Sequence, residues 1–181
     1  MKIREADLSD IEAIKKCVDA CSSPLYFTDD TTIEWLQDNL KDNGICYIAE
    51  EQDEVVGYCI LIYEDRVWHT AKDIGYARIN QMETMGVQAA WQNMGIAKKL
   101  VEECKQHIRT KVTLATVHPE NVASKKVLQK CGFQYYKNTI LYDQSPREIW
   151  LYLLNIEIML DRIAEFKAKR ANIHAGFDAK H

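Results

Sequence analysis

Residues Glu83 to Leu100, Glu-Thr-Met-Gly-Val-Gln-Ala-Ala-Trp-Gln-Asn-Met-Gly-Ile-Ala-Lys-Lys-Leu, read as a strand, a turn and a helix start in succession. This segment constrains the chain more than any other. The first turn of a helix carries four backbone N–H groups without partners and the positive end of the helix dipole. Gly95 and Ala97 keep that turn free of bulky side chains, so the segment predicts a cradle for a phosphate or pyrophosphate. Lys98 and Lys99 add positive charge, although a lysine pair on a helix is usually just a solvated face. Upstream, Gly75 and Gly86 interrupt a strand expected over Ile74 to Val87, and glycine inside a strand marks a bulge or a close approach to the backbone.

The remaining pattern places this segment in a mixed α/β (α+β) fold. Lys2 to Ala6 reads as a short strand, and Ser9-x-x-Glu12 as a capping box for a helix with Ile11, Ile14, Cys17, Val18 and Cys21 on one face. Thr31-x-x-Glu34 opens a second short helix that stops at Asn43-Gly44. Ile45 to Glu50 and Val55 to Glu64 form an antiparallel hairpin across the acidic turn Glu51-Gln52-Asp53-Glu54. Apolar residues then recur at helical spacing from Gly95 to Thr110, and Val112 to Val117 is a buried strand. Asn121 leads a helix stopped by Gly132, and Phe133 to Asp143 reads as a strand. Ser145-Pro146-Arg147-Glu148 resembles another capping box, but the continuous run Ile149 to Leu154 favours a strand to about Asn155. Ile156, Met159, Leu160, Ile163 and Phe166 then fit an amphipathic helix before a frayed tail. The expected organisation is one domain over residues 1–155 with a helical extension over residues 156–181.

Charge and cysteine usage exclude several functions. Twenty-three basic residues against 27 acidic give a net charge of -4, the wrong sign for nucleic acid or anionic lipid. No apolar run approaches a membrane span and the N-terminus has no apolar signal core, so a cytoplasmic protein is expected. Six cysteines without a Cys-x-x-Cys pair suggest buried thiols and no metal.

Gln92-x-x-Gly95-x-Ala97 resembles the central motif of the GCN5-related N-acetyltransferase (GNAT) family, in which this turn wraps the pyrophosphate of acetyl-CoA. Asn121-x-x-Ser124 through Leu128, followed by Lys130-Cys131-Gly132-Phe133, resembles that family's second motif. The resemblance spans roughly residues 2 to 155 and implies a mostly antiparallel central sheet with a splayed strand pair. It implies acetyl-CoA as cosubstrate, with Met85, Gly86 and Val87 along the pantetheine. Gln92, Asn93, Met94, Gly95, Ile96, Ala97 and Lys98 would surround the pyrophosphate, and Asn121 and Ser124 would stand by the pantetheine arm.

The activity it implies is direct attack of a primary amine, on a small molecule or a protein, on the thioester. Glu83 is the implied base and the Val87 N–H the implied oxyanion donor. The family's usual acid, a tyrosine seven residues after the asparagine, is Leu128 in this chain; Tyr135, Tyr136 and Tyr142 are the alternatives. His118 is another candidate base, although a His-Pro turn ahead of a helix is more often structural. The resemblance implies that the loop Ser22 to Asp30 helps select the acceptor; its two aromatics and Asp29 and Asp30 could attract a cationic amine, although acidic residues before a helix N-terminus are more readily explained by the dipole alone. A non-catalytic acyl-CoA sensor is the competing reading, kept open by Leu128. The apolar terminal helix adds the expectation of a homodimer.

Overall fold

The computed structural model describes residues 1–21, 23, 31–63, 79–140 and 145–155. The expected terminal helix, most of the loop before the second helix, residues 74–78 with Gly75, and Tyr142 lie outside the described residues.

Seven strands form one sheet in the order β1-β2-β3-β4-β5-β7-β6: β1 Lys2–Glu5, β2 Gly44–Glu51, β3 Glu54–Tyr63, β4 Asn80–Val87, β5 Val112–Val117, β6 Gln134–Ile140 and β7 Pro146–Leu153. All neighbours pair antiparallel except β4 and β5. Among the described residues four helices flank the sheet: α1 Ile11–Cys21, α2 Ile33–Asp38, α3 Ile96–Lys105 and α4 Val122–Lys130. The β2–β3 hairpin turns on Gln52 and Asp53, both at positive φ. That is the two-residue turn whose twist matches paired strands.

The unbroken apolar run of β3 follows from cover on both faces. Tyr58, Ile60 and Ile62 pack with Ile11, Ile14, Cys17, Val18 and Leu36 of α1 and α2. Cys59 and Leu61 face the other way, against Ile96, Leu100, Val101 and Cys104 of α3. Further along the sheet, Ala115 and Val117 of β5 share the α3 side, with Trp150 and Tyr152 of β7 packed against it. Ile79, Val112, Leu114 and Ile149 form a small cluster on the opposite face.

Two starts differ from the capping patterns. Asp7, not Ser9, opens the first helical turn: its carboxylate accepts from Ser9 N at 2.7 Å, while Asp10 accepts from Asp7 N at 2.8 Å. The box has slid two residues upstream because a 3-10 turn over Leu8–Asp10 precedes α1. Thr32 rather than Thr31 caps α2, accepting from Trp35 N at 3.1 Å. The strand reading of the terminal segment holds, since β7 begins at Pro146.

Strand β4 carries the feature that shapes the site. Its register against β3 shifts between Ile60 and Leu61, which leaves Glu83 as an extra residue between the Leu61–Met82 and Ile60–Thr84 pairs. A bulge of this kind reverses the side-chain alternation. Met82 faces the α3 side before it, and Met85 and Val87 face that side after it. Thr84 and Gly86 turn to the α1 side, where the Thr84 hydroxyl lies 3.3 Å from the Tyr58 hydroxyl. A Cβ on Gly86 would stand 2.7 Å from Tyr58 Cε1 and 2.8 Å from Cys21 Cβ, so α1 can seat only against a glycine. Gly86→Ala is expected to lower stability by about 1–3 kcal/mol. Urea unfolding checks this, and an unchanged midpoint would show that α1 is not seated on β4.

Candidate functional site

β4 and β5 pair in parallel only from Asn80–Thr113 to Met82–Ala115; beyond Met82 no pairing continues. The hinge of this splay is locked by Asn80. Its Oδ1 accepts from Arg109 N at 2.7 Å and Thr110 N at 3.3 Å, and its own N–H donates to Thr110 Oγ1 at 2.9 Å. The loop that follows α3 is thereby tied to the first of the three paired positions, two residues before the strands part.

Past the hinge, the hydrogen-bond pattern turns main-chain groups into the gap. Gln88 N donates to Val56 O at 2.9 Å, one residue beyond the Gly57–Val87 pair. That makes Gly57–Val87 a non-hydrogen-bonded antiparallel pair, and by alternation Cys59–Met85 is another. The N–H and C=O groups of Met85 and Val87 therefore point away from β3, toward the side that β5 has vacated. The Val87 carbonyl is held there by Gln92 Nε2 at 3.0 Å. Gly86 differs: its register places its main chain on Tyr58 of β3, and its missing side chain answers to α1.

Gln92 to Ala97 bring the chain from the end of β4 into α3. Asn93 and Gly95 sit at positive φ, and Gly95, at φ 78°, is the residue before Ile96. A Cβ on Gly95 would meet nothing within 4 Å, so the glycine serves the left-handed turn and leaves open space above the first N–H groups of α3. Gln92, Asn93, Met94, Lys98 and Lys99 are exposed, whereas Ile96 is buried in the core. The turn thus presents backbone donors and basic side chains outward while one isoleucine anchors it.

Across the gap, Asn121 caps α4, its Oδ1 accepting from Ser124 N at 3.0 Å. The cap occupies that oxygen and leaves the amide nitrogen of Asn121 for another partner. Gly132, at φ 85°, ends the helix. His118 is drawn into the turn before it, its Nδ1 accepting from Glu120 N at 3.2 Å.

Glu83 stands at the bulge beside Gln81, whose Nε2 donates to its carboxylate. Of the tyrosines that follow α4, Tyr142 lies outside the described residues. Tyr135 and Tyr136 are about half exposed on β6, three strands from β4, and the Tyr135 hydroxyl donates to Asn138. Tyr58 reaches β4 through Thr84, but it is fully buried and its hydroxyl is pushed above the usual range by desolvation. The apolar run around Tyr58 conceals it in the sequence; only the bulge in β4 reveals the contact. Leu128 points into the core on the α3 side and is 1% exposed. Among the described residues no group of His, Cys, Asp or Glu could hold a metal ion, and no helix is long and apolar enough to cross a membrane.

A splayed strand pair with outward main-chain groups stands opposite an open glycine turn at a helix start, and this is an arrangement suited to the acyltransferase class. A family model described as "Acetyltransferase (GNAT) family" matches residues 11–133, and the chain belongs to that family. Among solved structures, smu.2055 from Streptococcus mutans UA159 is 19% identical, with a TM-score of 0.69 over 86% of this chain and 100% of that one. A ribosomal-protein-alanine N-acetyltransferase from Brucella melitensis is 20% identical, with a TM-score of 0.65 over 85% and 100% of the two chains. NAA60 from Arabidopsis thaliana, solved in complex with acetyl-CoA, is 15% identical, with a TM-score of 0.67 over 84% and 99%. No curated protein sequence matches.

Because Leu128 is sealed in the core, Leu128→Tyr is expected to overpack it. The cost should be about 1–3 kcal/mol with no gain in turnover. Thermal denaturation and an acetyl-transfer assay test this together; a fully stable, faster variant would place that helix face at the reacting centre.

Proposed function

We propose that this acetyltransferase moves an acetyl group from acetyl-CoA to a primary amine by direct attack. The observation that carries the reading is the outward turn of the Met85 and Val87 main-chain groups where β5 leaves β4. An extended pantetheine arm would bond to those groups as a neighbouring strand would. Gln92 to Lys98, with Gly95 keeping the turn open, would take the pyrophosphate on the first N–H groups of α3. Asn121 and Ser124 stand at the start of α4, where the Asn121 amide nitrogen would meet the arm. Gly86 contributes by letting α1 press close behind the strand.

The Val87 N–H faces the gap and would stabilise the acetyl oxygen as charge develops on it. Glu83, on the opposite face at the bulge, would remove the proton from the attacking amine, directly or through water. No tyrosine acid is needed in this scheme, since a thiol with an ordinary pKa near about 8.5 is already a competent leaving group. The protein would act in the cytoplasm, and the homodimer remains part of the proposal. A sensor that binds the donor without turnover is the reading this must defeat.

Acetyl-CoA and CoA, but not ATP, are expected to raise the melting temperature saturably. The gain should approach about 2.7 kcal/mol at a hundredfold excess over Kd. No shift with millimolar ligand would reject the cleft assignment. In Glu83→Gln, the acetyl-CoA shift should persist while kcat falls by about 10²–10⁴ and loses its acid limb. A kcat that is unchanged between about pH 6 and 9 removes Glu83 as the base.

A further inference from the structure

Arg147, near the start of β7, is 7% exposed, and its one hydrogen bond runs from Nη1 to the carbonyl of Pro146 at 3.0 Å. No carboxylate among the described residues pairs with it. The adjacent Glu148 is turned to the other face, where Lys125 Nζ and Trp150 Nε1 hold both its oxygens at 3.0 Å. Burying a guanidinium without a counter-charge is costly unless something supplies the missing acceptors.

Its place in the sheet shows what that could be. β7 runs antiparallel to β5, so its beginning lies at the end of the sheet where β4 and β5 part. Arg147 shares a face with Ile149, which packs on Val112 and Leu114, the face opposite α3. Thr116 of β5 is the partner of Ile149 on that face. Gln81 opposes Met82 on β4 and so lies on the same face, with Glu83 bonded to it. Gln81 Oε1 is buried with no partner, a second unsatisfied polar group on that surface. A buried acceptor oxygen with capacity to spare beside Glu83 suits an amine, and a buried guanidinium without a carboxylate two strands away suits an anion.

We propose that this face receives the acceptor and that the acceptor is an amine bearing a carboxylate, with Arg147 as its specificity-determining residue. The proposal rests on the amine-acetyltransferase reading above. Two strand spacings put the backbones of β4 and β7 about 10 Å apart where β4 and β5 still pair, and the splay widens that distance toward Arg147. The glutamate and arginine side chains span much of that, leaving a few bonds between amine and carboxylate. A planar guanidinium meets a carboxylate through two parallel N–H donors, which a neutral amide in the same place cannot match.

The test uses the full chain saturated with CoA and compares β-alanine and 4-aminobutyrate with their primary amides by thermal shift, and with acetyl-CoA by CoA release. The acids should half-saturate at a concentration at least about tenfold below the amides, and be acetylated with a correspondingly higher kcat/KM. Arg147→Met should keep the shift with CoA, lose the preference for acids, and melt no lower than the native chain without ligand. Arg147→Lys, which keeps the charge without the fork, should retain a weakened preference. Equal response to acid and amide, response to neither, or a preference that survives in Arg147→Met overturns the proposal. Loss of the CoA shift itself would instead indict the cofactor cleft, so the two failures are distinguishable.

Discussion

The separation of β4 from β5 after three residues of pairing is the constraint on which the rest of the molecule turns. A parallel pair that continued would have spent the Met85 and Val87 main-chain groups on β5. The hinge is held by polar groups: Asn80 takes two backbone N–H groups from the loop after α3 and gives its own to Thr110, which in turn donates to the Val112 carbonyl. The same residue that begins β4 thus fixes where α3 ends and β5 starts. Position along the splay is then set by the bulge at Glu83, which assigns Met85 and Val87 to the α3 side and Thr84 and Gly86 to the α1 side.

Much of this architecture was legible in the order of residue types. Gly95 ahead of a helical repeat announced the turn into α3, Asn121 and Gly132 bracketed α4, and the run Ile149 to Leu154 outweighed the capping pattern before it. Local signals of this kind need only a few neighbouring residues. The sequence motifs also placed the chain in its family before any coordinates did.

What escaped the sequence depends on pairing between distant segments. The bulge exists only in the register of β4 against β3, so neither the place of Glu83 between two ladder pairs nor the approach of Tyr58 to Thr84 has a local signature. Gly86 invited a reading as a place where a ligand nears the backbone, yet its surroundings show that a helix claims the space. Arg147 sits inside a four-residue pattern that looks like a helix cap, and nothing local marks it as a buried charge. Its burial follows from where β7 lies in the sheet, which no spacing rule conveys. The slid capping box at Asp7 shows the smaller version of the same limit, since a single 3-10 turn moved every cap position by two.

The contact between α1 and Gly86 has one more consequence. Cys21 is the last residue of α1, and its Sγ would lie 3.0 Å from a Cβ on Gly86, so only a hydrogen atom separates helix from strand there. Such a spacer has no slack. Any tilt of the end of α1 is handed straight to the stretch of β4 that carries Met85 and Val87, and the helix behaves as an anvil behind the strand. The two faces of the sheet are coupled at this point by steric stiffness, across the thickness of a single glycine.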